Sequence, residues 1–316
     1  SLELKLNTVP CSRGDFAFTT LTFGQWGVDW SAKDRKWMRL IDQTILATRR
    51  NGHGPSHHPV VFPKLVYLYD EAQIKADPES AALFDSAVKT SAECMYPDYL
   101  SLSSKFGSVS RLYQKTGVIT SPMGCRAYLT PWANEEGRYI TIGRCNEVGD
   151  LVRYMTASFG ITALDEATYL WSGKRLIEDR SFSEQVLNHL KEKITEYKHE
   201  DGYLYAIYGT PAESLCATQA KQYDEWCSKI GVTNVFKTTA HYSPDYFTNS
   251  FHVNVTEEIT PFEKQDAEFD DFHLCEGGHI QYVRLDSPKN EEALSAVIRR
   301  GMALGFYQGV NFDSAY

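Results

Sequence analysis

Three short stretches of this sequence place reactive side chains where a chain turns tightly. The first is Cys125, between Gly124 and Arg126 and three residues after Pro122. Proline restricts such a loop and glycine lets the backbone turn sharply, so a thiol there could project into a cavity. A free cysteine is nevertheless most often a small buried hydrophobe, and the local residues alone favour that. The second is Thr210-Pro211-Ala212-Glu213 after an apolar run. Thr210 as N-cap, Pro211 in the first turn and Glu213 completing a capping box account for every residue. The sharper alternative is that the helix start binds phosphate and that Glu213 works as a base. The third is Cys145-Asn146 after Gly143-Arg144, where an amide could hold a substrate hydroxyl or merely make a turn. Cys275-Glu276-Gly277-Gly278 reads as a turn before a strand.

Other patterns carry less. His53, His57 and His58 lack an acidic or thiol ligand nearby in sequence and fit a solvated Gly/Pro loop better than a metal site. Arg13-Gly14-Asp15 and the acceptor-like Asn254-Val255-Thr256 have bland explanations. The seven cysteines, at 11, 94, 125, 145, 216, 227 and 275, form no C-x-x-C pair, which argues against zinc or a disulfide framework and for free thiols in a reducing cytoplasm.

The elements that must position these residues alternate between strand and helix. Ser1 to Leu6 alternates polar and apolar and reads as a strand, as do Phe16–Phe23, Val60–Tyr69, Tyr139–Ile142, Tyr203–Tyr208 and His279–Arg284. An extended piece starts at Tyr96–Leu100. Helices are expected at about Lys33–Arg49, Ser80–Cys94, Val148–Ser172, Phe182–His199, from Thr210 onward, and at Glu291–Phe306 with Leu294, Val297 and Ile298 on one face. Near-continuous apolar strands between helices predict an α/β fold with a mostly parallel sheet, whose chemistry gathers at strand ends. With 316 residues, 42% of them hydrophobic and 13% aromatic, the chain can bury a sizeable core as one domain. A net charge of −9 argues against phosphate-driven DNA binding. No run approaches the ~20 apolar residues of a membrane span, and the first residues do not read as a secretory signal.

Taken together, the words resemble those of the anaerobic, class III ribonucleoside-triphosphate reductases of the glycyl radical enzyme superfamily. Ser121-Pro122-Met123-Gly124-Cys125-Arg126-Ala127-Tyr128-Leu129 is similar to that family's catalytic cysteine loop. In the family's order stand Val9-Pro10 with Ser12-Arg13-Gly14-Asp15, Phe62-Pro63-Lys64, Tyr96-Pro97-Asp98 and Gly143-Arg144-Cys145-Asn146. Tyr208-Gly209-Thr210-Pro211-Ala212-Glu213-Ser214-Leu215, Thr248-Asn249-Ser250-Phe251-His252 and Gly277-Gly278-His279-Ile280-Gln281-Tyr282 follow. No word is decisive; the ordered set, running nearly end to end, is specific.

The resemblance implies a ten-stranded α/β barrel of two parallel half-sheets with the cysteine loop inside, incomplete in this chain, residues 1–316 forming a single partial catalytic domain. It implies reduction of ribonucleoside triphosphates to deoxyribonucleotides, with Cys125 becoming a thiyl radical that abstracts the ribose 3′ hydrogen. Asn146 would bind ribose hydroxyls, Glu213 would be the acid/base, and Thr210, Ala212, Ser214, Asn249, Ser250 and His252 would contact substrate. A glycyl radical on a missing segment or partner chain, a formate or thioredoxin-like reductant, and a radical-SAM iron–sulfur activating enzyme would complete the system. No direct DNA or membrane binding is expected, and the setting is cytoplasmic.

The sequence also departs from the family's pattern, and the missing parts are expectations from its words alone. The family's N-terminal allosteric region, the strand with a second redox cysteine, and the C-terminal four-cysteine zinc site with its radical glycine have no counterpart here; Cys11 lacks the right surroundings. After Asn146 the chain goes straight to Glu147-Val148-Gly149-Asp150 and a helix resembling a later part of the enzyme. Three readings follow: one piece of a split enzyme acting with other reductase fragments or a second copy, part of a longer chain, or a non-catalytic nucleotide-binding or interaction relative. Another glycyl radical enzyme is a further alternative, which the Thr-Pro-Ala-Glu and Gly-Arg-Cys-Asn words oppose.

Overall fold

The computed structural model describes residues 2–10, 18–25, 31–123, 127–128, 156–285 and 290–312. In chain order the elements are α1 (Leu2–Thr8), β1 (Thr20–Phe23), α2 (Ala32–Asn51), β2 (Lys64–Tyr69), α3 (Glu71–Ala76), α4 (Pro78–Cys94), β3 (Asp98–Ser101) and α5 (Ser108–Thr116). The short strands β4 (Pro122–Met123) and β5 (Ala127–Tyr128) are followed by β6 (Thr156–Ile161), α6 (Leu164–Ser172), α7 (Ser181–Asp201), β7 (Leu204–Gly209) and α8 (Ser214–Ile230). The chain ends with α9 (Pro261–Ala267), α10 (Phe269–Leu274), β8 (Gln281–Leu285), α11 (Glu291–Ala303) and β9 (Tyr307–Phe312). These form two compact units, one of residues 1–124 with 280–316 and one of residues 125–279.

The first unit is an α/β layer. Its five strands run in the order β1-β2-β3-β9-β8, parallel except where β3 meets β9. Alternation along each strand sorts side chains between the two faces. Leu65, Tyr67, Tyr69, Tyr99, Val283 and Val310 turn to one face and join Leu46, Phe84, Leu294, Val297, Ile298 and Met302 from the helices in a continuous core. Phe84 packs edge-on against Tyr67 and Tyr99, ring centres 5.8 and 6.2 Å away, a geometry worth ~1 kcal/mol per pair beyond burial. The helices are started by their own caps: Ser31 accepts from Asp34 N, Asp70 from Ala72 and Gln73 N, and Asp77 from Glu79 N ahead of Pro78. The opposite face carries a buried polar group in which Lys64 Nζ lies 2.7 Å from Asp98 Oδ2 and Tyr307 donates to the same oxygen at 3.0 Å. Burial pushes the Asp98 carboxyl upward against the pull of Lys64.

The second unit contains the parallel pair β6–β7, in register from Thr156–Leu204 to Ile161–Gly209, with α7 against β7 and Phe236 at the centre of an aromatic cluster with Tyr242 and Phe247. Among the described residues no sheet closes on itself, and none of the helices is long and apolar enough to cross a membrane.

Several expectations need correction. The opening alternation forms α1 rather than a strand: leucine, glutamate and lysine are strong helix formers with no β-branched residue among them, and Asn7 docks the helix by hydrogen bonds to Phe62 O, Phe62 N and Val61 N. Of the long helix expected over Val148–Ser172, residues 148–155 lie outside the described residues, and from Thr156 on the chain forms a strand, β6, and a shorter helix, α6, separated by Ala163 at φ 59°; Thr156, Gly160, Ile161 and Thr162 disfavour the helix. The strand from His279 begins at Gln281, the strands at Phe16 and Val60 begin at Thr20 and Lys64, and the helix from Glu291 ends at Ala303. Gly305 at φ 80° then turns the chain into β9, which pattern reading passed over. The expected strand at Tyr139–Ile142 lies outside the described residues. The His53–His58 stretch is an exposed turn closed by hydrogen bonds of 2.8 and 2.9 Å between those two backbones, and Asn254 is buried, donating to Thr248 Oγ1.

Candidate active site

Two stretches expected to touch substrate, separated by 35 positions at their nearest members, Ser214 and Asn249, approach each other in the second unit. 

The first follows β7. Thr210 Oγ1 accepts from Ala212 N at 3.2 Å, Glu213 N donates to Pro211 O at 2.6 Å, and the helix begins only at Ser214. The capping box expected here is therefore not formed: Thr210 serves its own turn, and no side chain caps α8. Ala212 and Glu213 hold φ values of 55° and 43°. Two consecutive left-handed, non-glycine residues store strain of order 1–3 kcal/mol each, which concentrates at functional sites. Glu213 is exposed.

The second stretch is Thr248–His252. Tyr246 OH donates to Glu213 O at 3.2 Å and Phe247 N to Cys216 O at 3.3 Å, so the approach to this stretch is pinned on the first turn of α8. Ser250 has φ 56°, is fully buried, and its Oγ has no hydrogen-bond partner. Gly209 is where the two stretches meet. A Cβ there would lie 2.6 Å from Ser250 Oγ, 2.6 Å from His279 Cβ and 3.1 Å from the Phe251 ring, so only glycine allows the approach. The Gly277–His279 word lines the other edge of β7, with Gly277 N donating to Ile207 O and Gly209 N to Gly278 O. Tyr128, three residues after Cys125 in sequence, donates its backbone N–H to Gly277 O at 3.3 Å. Cys125 and Asn146 themselves lie outside the described residues. The structure thus brings Gly209, at the head of the Thr210–Ser214 turn, against Ser250 and Phe251, and ties Glu213 to Tyr246 just ahead of the second stretch.

Sequence reasoning missed the acids behind these loops. Asp165 and Glu166, in the first turn of α6, are fully buried, as are Glu268 and Asp271 around α10. Burial pushes the Glu166 carboxyl up to about 7, although Thr248 donates to it through both its backbone and its hydroxyl. Burial likewise raises Asp165 against the bonds from Tyr242, Leu176 and Asn254. For Glu268 burial works upward, yet Lys264 and His252 beside it overcome this and hold the carboxyl at about 2. Asp271 is pushed up to about 6 by burial, opposed by Arg180 at 3.1 Å. An acid in a first helical turn is ordinarily a solvated partner of the helix dipole, and nothing in Leu164-Asp165-Glu166-Ala167 distinguishes the buried case. Among the described residues no group of three or more His, Cys, Asp or Glu could hold a metal ion, and Cys94, Cys216, Cys227 and Cys275 are free.

The fold is that of the ribonucleotide reductases. A solved anaerobic ribonucleotide reductase superposes with a TM-score of 0.63 at 12% identity, covering 98% of this chain and 56% of that one. The Thermotoga maritima anaerobic enzyme in complex with dATP and CTP gives a TM-score of 0.62 at 13% identity, over 98% of this chain and 59% of its own. The family is settled by sequence: the model of the anaerobic ribonucleoside-triphosphate reductases matches residues 1–147 and 137–314, and the chain belongs to that family. The anaerobic ribonucleoside-triphosphate reductase of Enterobacteria phage T4 is 27% identical, over 98% of this chain and 59% of its own length. That of Escherichia coli is 26% identical, over 89% of this chain and 47% of its own. The chain thus spans about half the length of the curated relatives it matches.

Proposed function

We propose that this chain supplies the ribose-reducing part of an anaerobic ribonucleoside-triphosphate reductase, as a partial ten-stranded α/β barrel in a cytoplasmic enzyme. The observation that carries this reading is the close approach of Gly209, which precedes Thr210–Ser214, to Ser250 and Phe251 of the Asn249–His252 word, in a chain of that family.

Cys125 would take the 3′ hydrogen atom of the ribose as a thiyl radical, leaving a carbon radical on the sugar and a thiol on the protein. Asn146 would hold the ribose hydroxyls and Glu213 would exchange protons with them. The start of α8, which no side chain caps, suits a phosphate group, since first-turn N–H groups favour anions. Asn249, Ser250 and His252 would line the nucleotide. Overall the 2′ hydroxyl leaves as water and is replaced by hydrogen, which needs two electrons and two protons from formate or a thioredoxin-like dithiol. A glycyl radical on another segment or chain, installed by a radical-SAM iron–sulfur activating enzyme, would supply the oxidising equivalent to Cys125. A dry, closed pocket serves this chemistry because an exposed radical is quenched. Among the described residues no group of His, Cys, Asp or Glu fits a zinc site.

The test is anaerobic turnover of the assembled enzyme. Cys125→Ser should abolish deoxyribonucleotide formation without changing the fold; retained turnover would refute the assignment. Glu213→Gln should impair ribose chemistry more than triphosphate binding; equal loss of both would reduce Glu213 to a structural part of the turn.

A further inference from the structure

The segment from Thr248 to Asn254 makes little regular structure, yet three buried carboxylates hold its backbone. Glu166 accepts Thr248 N and Thr248 Oγ1 on one oxygen, both at 2.7 Å. Asp165 accepts Asn254 N at 2.8 Å on one oxygen, and Tyr242 OH and Leu176 N on the other. Glu268 accepts Val253 N at 3.0 Å and His252 Nδ1 at 3.2 Å, and pairs with Lys264. Asn254 Nδ2 closes the segment on Thr248 Oγ1 at 2.8 Å. Between these anchors lie Asn249, bridged to Thr162, and Ser250, whose buried hydroxyl has no partner. Buried N–H groups must find acceptors, but burying ionisable acids to provide them is a costly solution where apolar packing would stabilise as well. What a carboxylate adds is direction: each oxygen fixes where its donors point.

We infer that Glu166 is a positioning residue for nucleotide binding, acting through Thr248 to set the conformation of the adjoining Asn249 and Ser250. The inference rests on the reading above that Asn249–His252 contacts the nucleotide. It predicts that loss of the Thr248 bonds disturbs binding even when the unit remains folded.

The experiment is calorimetric titration of the full chain with CTP, together with amide hydrogen exchange, for wild type, Asn249→Ala, Glu166→Ala, Glu166→Gln and Thr248→Val. Glu166→Ala should weaken CTP binding on the order of tenfold and accelerate exchange at Thr248 while the rest of the unit stays protected. Glu166→Gln, whose amide oxygen can still accept both bonds, should stay within about threefold of wild type. Thr248→Val, which keeps the backbone bond to Glu166 but removes the hydroxyl's bond to Glu166 and the one it accepts from Asn254, should fall between the two and carries the test if Glu166→Ala does not fold. Weakening by Asn249→Ala but not by Glu166→Ala or Thr248→Val would overturn the positioning role alone. Equal loss in Glu166→Ala and Glu166→Gln would overturn it too, because the charge rather than the bonds would matter. Absence of CTP binding by wild type, or an unchanged Asn249→Ala, would overturn the reading on which it rests.

Discussion

Glu268 should make this protein acid-sensitive through one carboxylate. It is fully buried, and Lys264 and His252 hold it at about 2, against an ordinary value of 4.5. A carboxyl depressed in the folded state stabilises that state above its unfolded value, and the contribution is lost as pH falls through the folded value. A depression of some 2.5 units is worth about 3 kcal/mol at neutral pH, of which about 2 kcal/mol should be gone by pH 3. The perturbation is Glu268→Gln, which keeps an acceptor for Val253 N but cannot titrate. Urea unfolding of both proteins between pH 3 and 7 gives two stability curves, and their difference isolates this group from every other acid in the chain. The difference should be largest and level above pH 5 and should shrink steadily below pH 4.5. A difference that stays constant from pH 7 to pH 3 would refute the reasoning, since Lys264 and His252 would then not be holding the charge.

Three further outcomes are expected. Glu166, raised to about 7 from 4.5, has the opposite sign: its contribution is full below pH 4.5 and is lost as pH rises through 7, so Glu166→Gln should flatten a fall in stability over that interval, read by urea unfolding. Gly209→Ala should cost about 1–3 kcal/mol by overpacking, because the new methyl meets His279 and Ser250 at 2.6 Å; thermal unfolding measures it. Arg49→Lys should destabilise the first unit by about 2 kcal/mol, since a lysine cannot reach both Val60 O and Pro63 O as the buried guanidinium does, and an unchanged melting temperature would contradict that.

What could be read from the sequence followed physical range. Elements with strong local signals were legible: the near-continuous apolar run of β2, the apolar stripe Leu294–Val297–Ile298 of α11, and α4, expected from Ser80 and found to start at Pro78. The family was legible because its words keep their order along the whole chain. Where local patterns were ambiguous they misled. Leu2-Glu3-Leu4-Lys5-Leu6 satisfies a strand's period while its composition favours a helix, and tertiary contacts of Asn7 with the Val61–Phe62 backbone support the helix. Thr210-Pro211-Ala212-Glu213 satisfies a capping box on paper, but the turn after Gly209 claims the threonine hydroxyl first. The buried acids were illegible for a different reason. Whether Glu166 is a solvated helix start or an anchor for Thr248 depends on a residue 82 positions away, and no local pattern carries that.

These anchors bear on how the candidate site is built. The Thr210–Ser214 and Thr248–His252 stretches leave helix and strand geometry at Ala212, Glu213 and Ser250, so the repeating ladder cannot fix their conformation. Apolar packing holds a loop in place but tolerates sliding, whereas a carboxylate that accepts two or three bonds defines one arrangement. Asp165 and Glu166 are neighbours on α6, and they grip the segment at Asn254 and Thr248, its two ends. The strain at the left-handed residues and the desolvation of the acids both oppose folding. They persist together because the same short helix, α6, supplies two of the anchors while its own start is fixed by Ala163 N on Thr248 O at 2.8 Å. A change on α6 should therefore reach the Thr248–Asn254 segment directly, through these bonds, rather than through a general loosening of the unit.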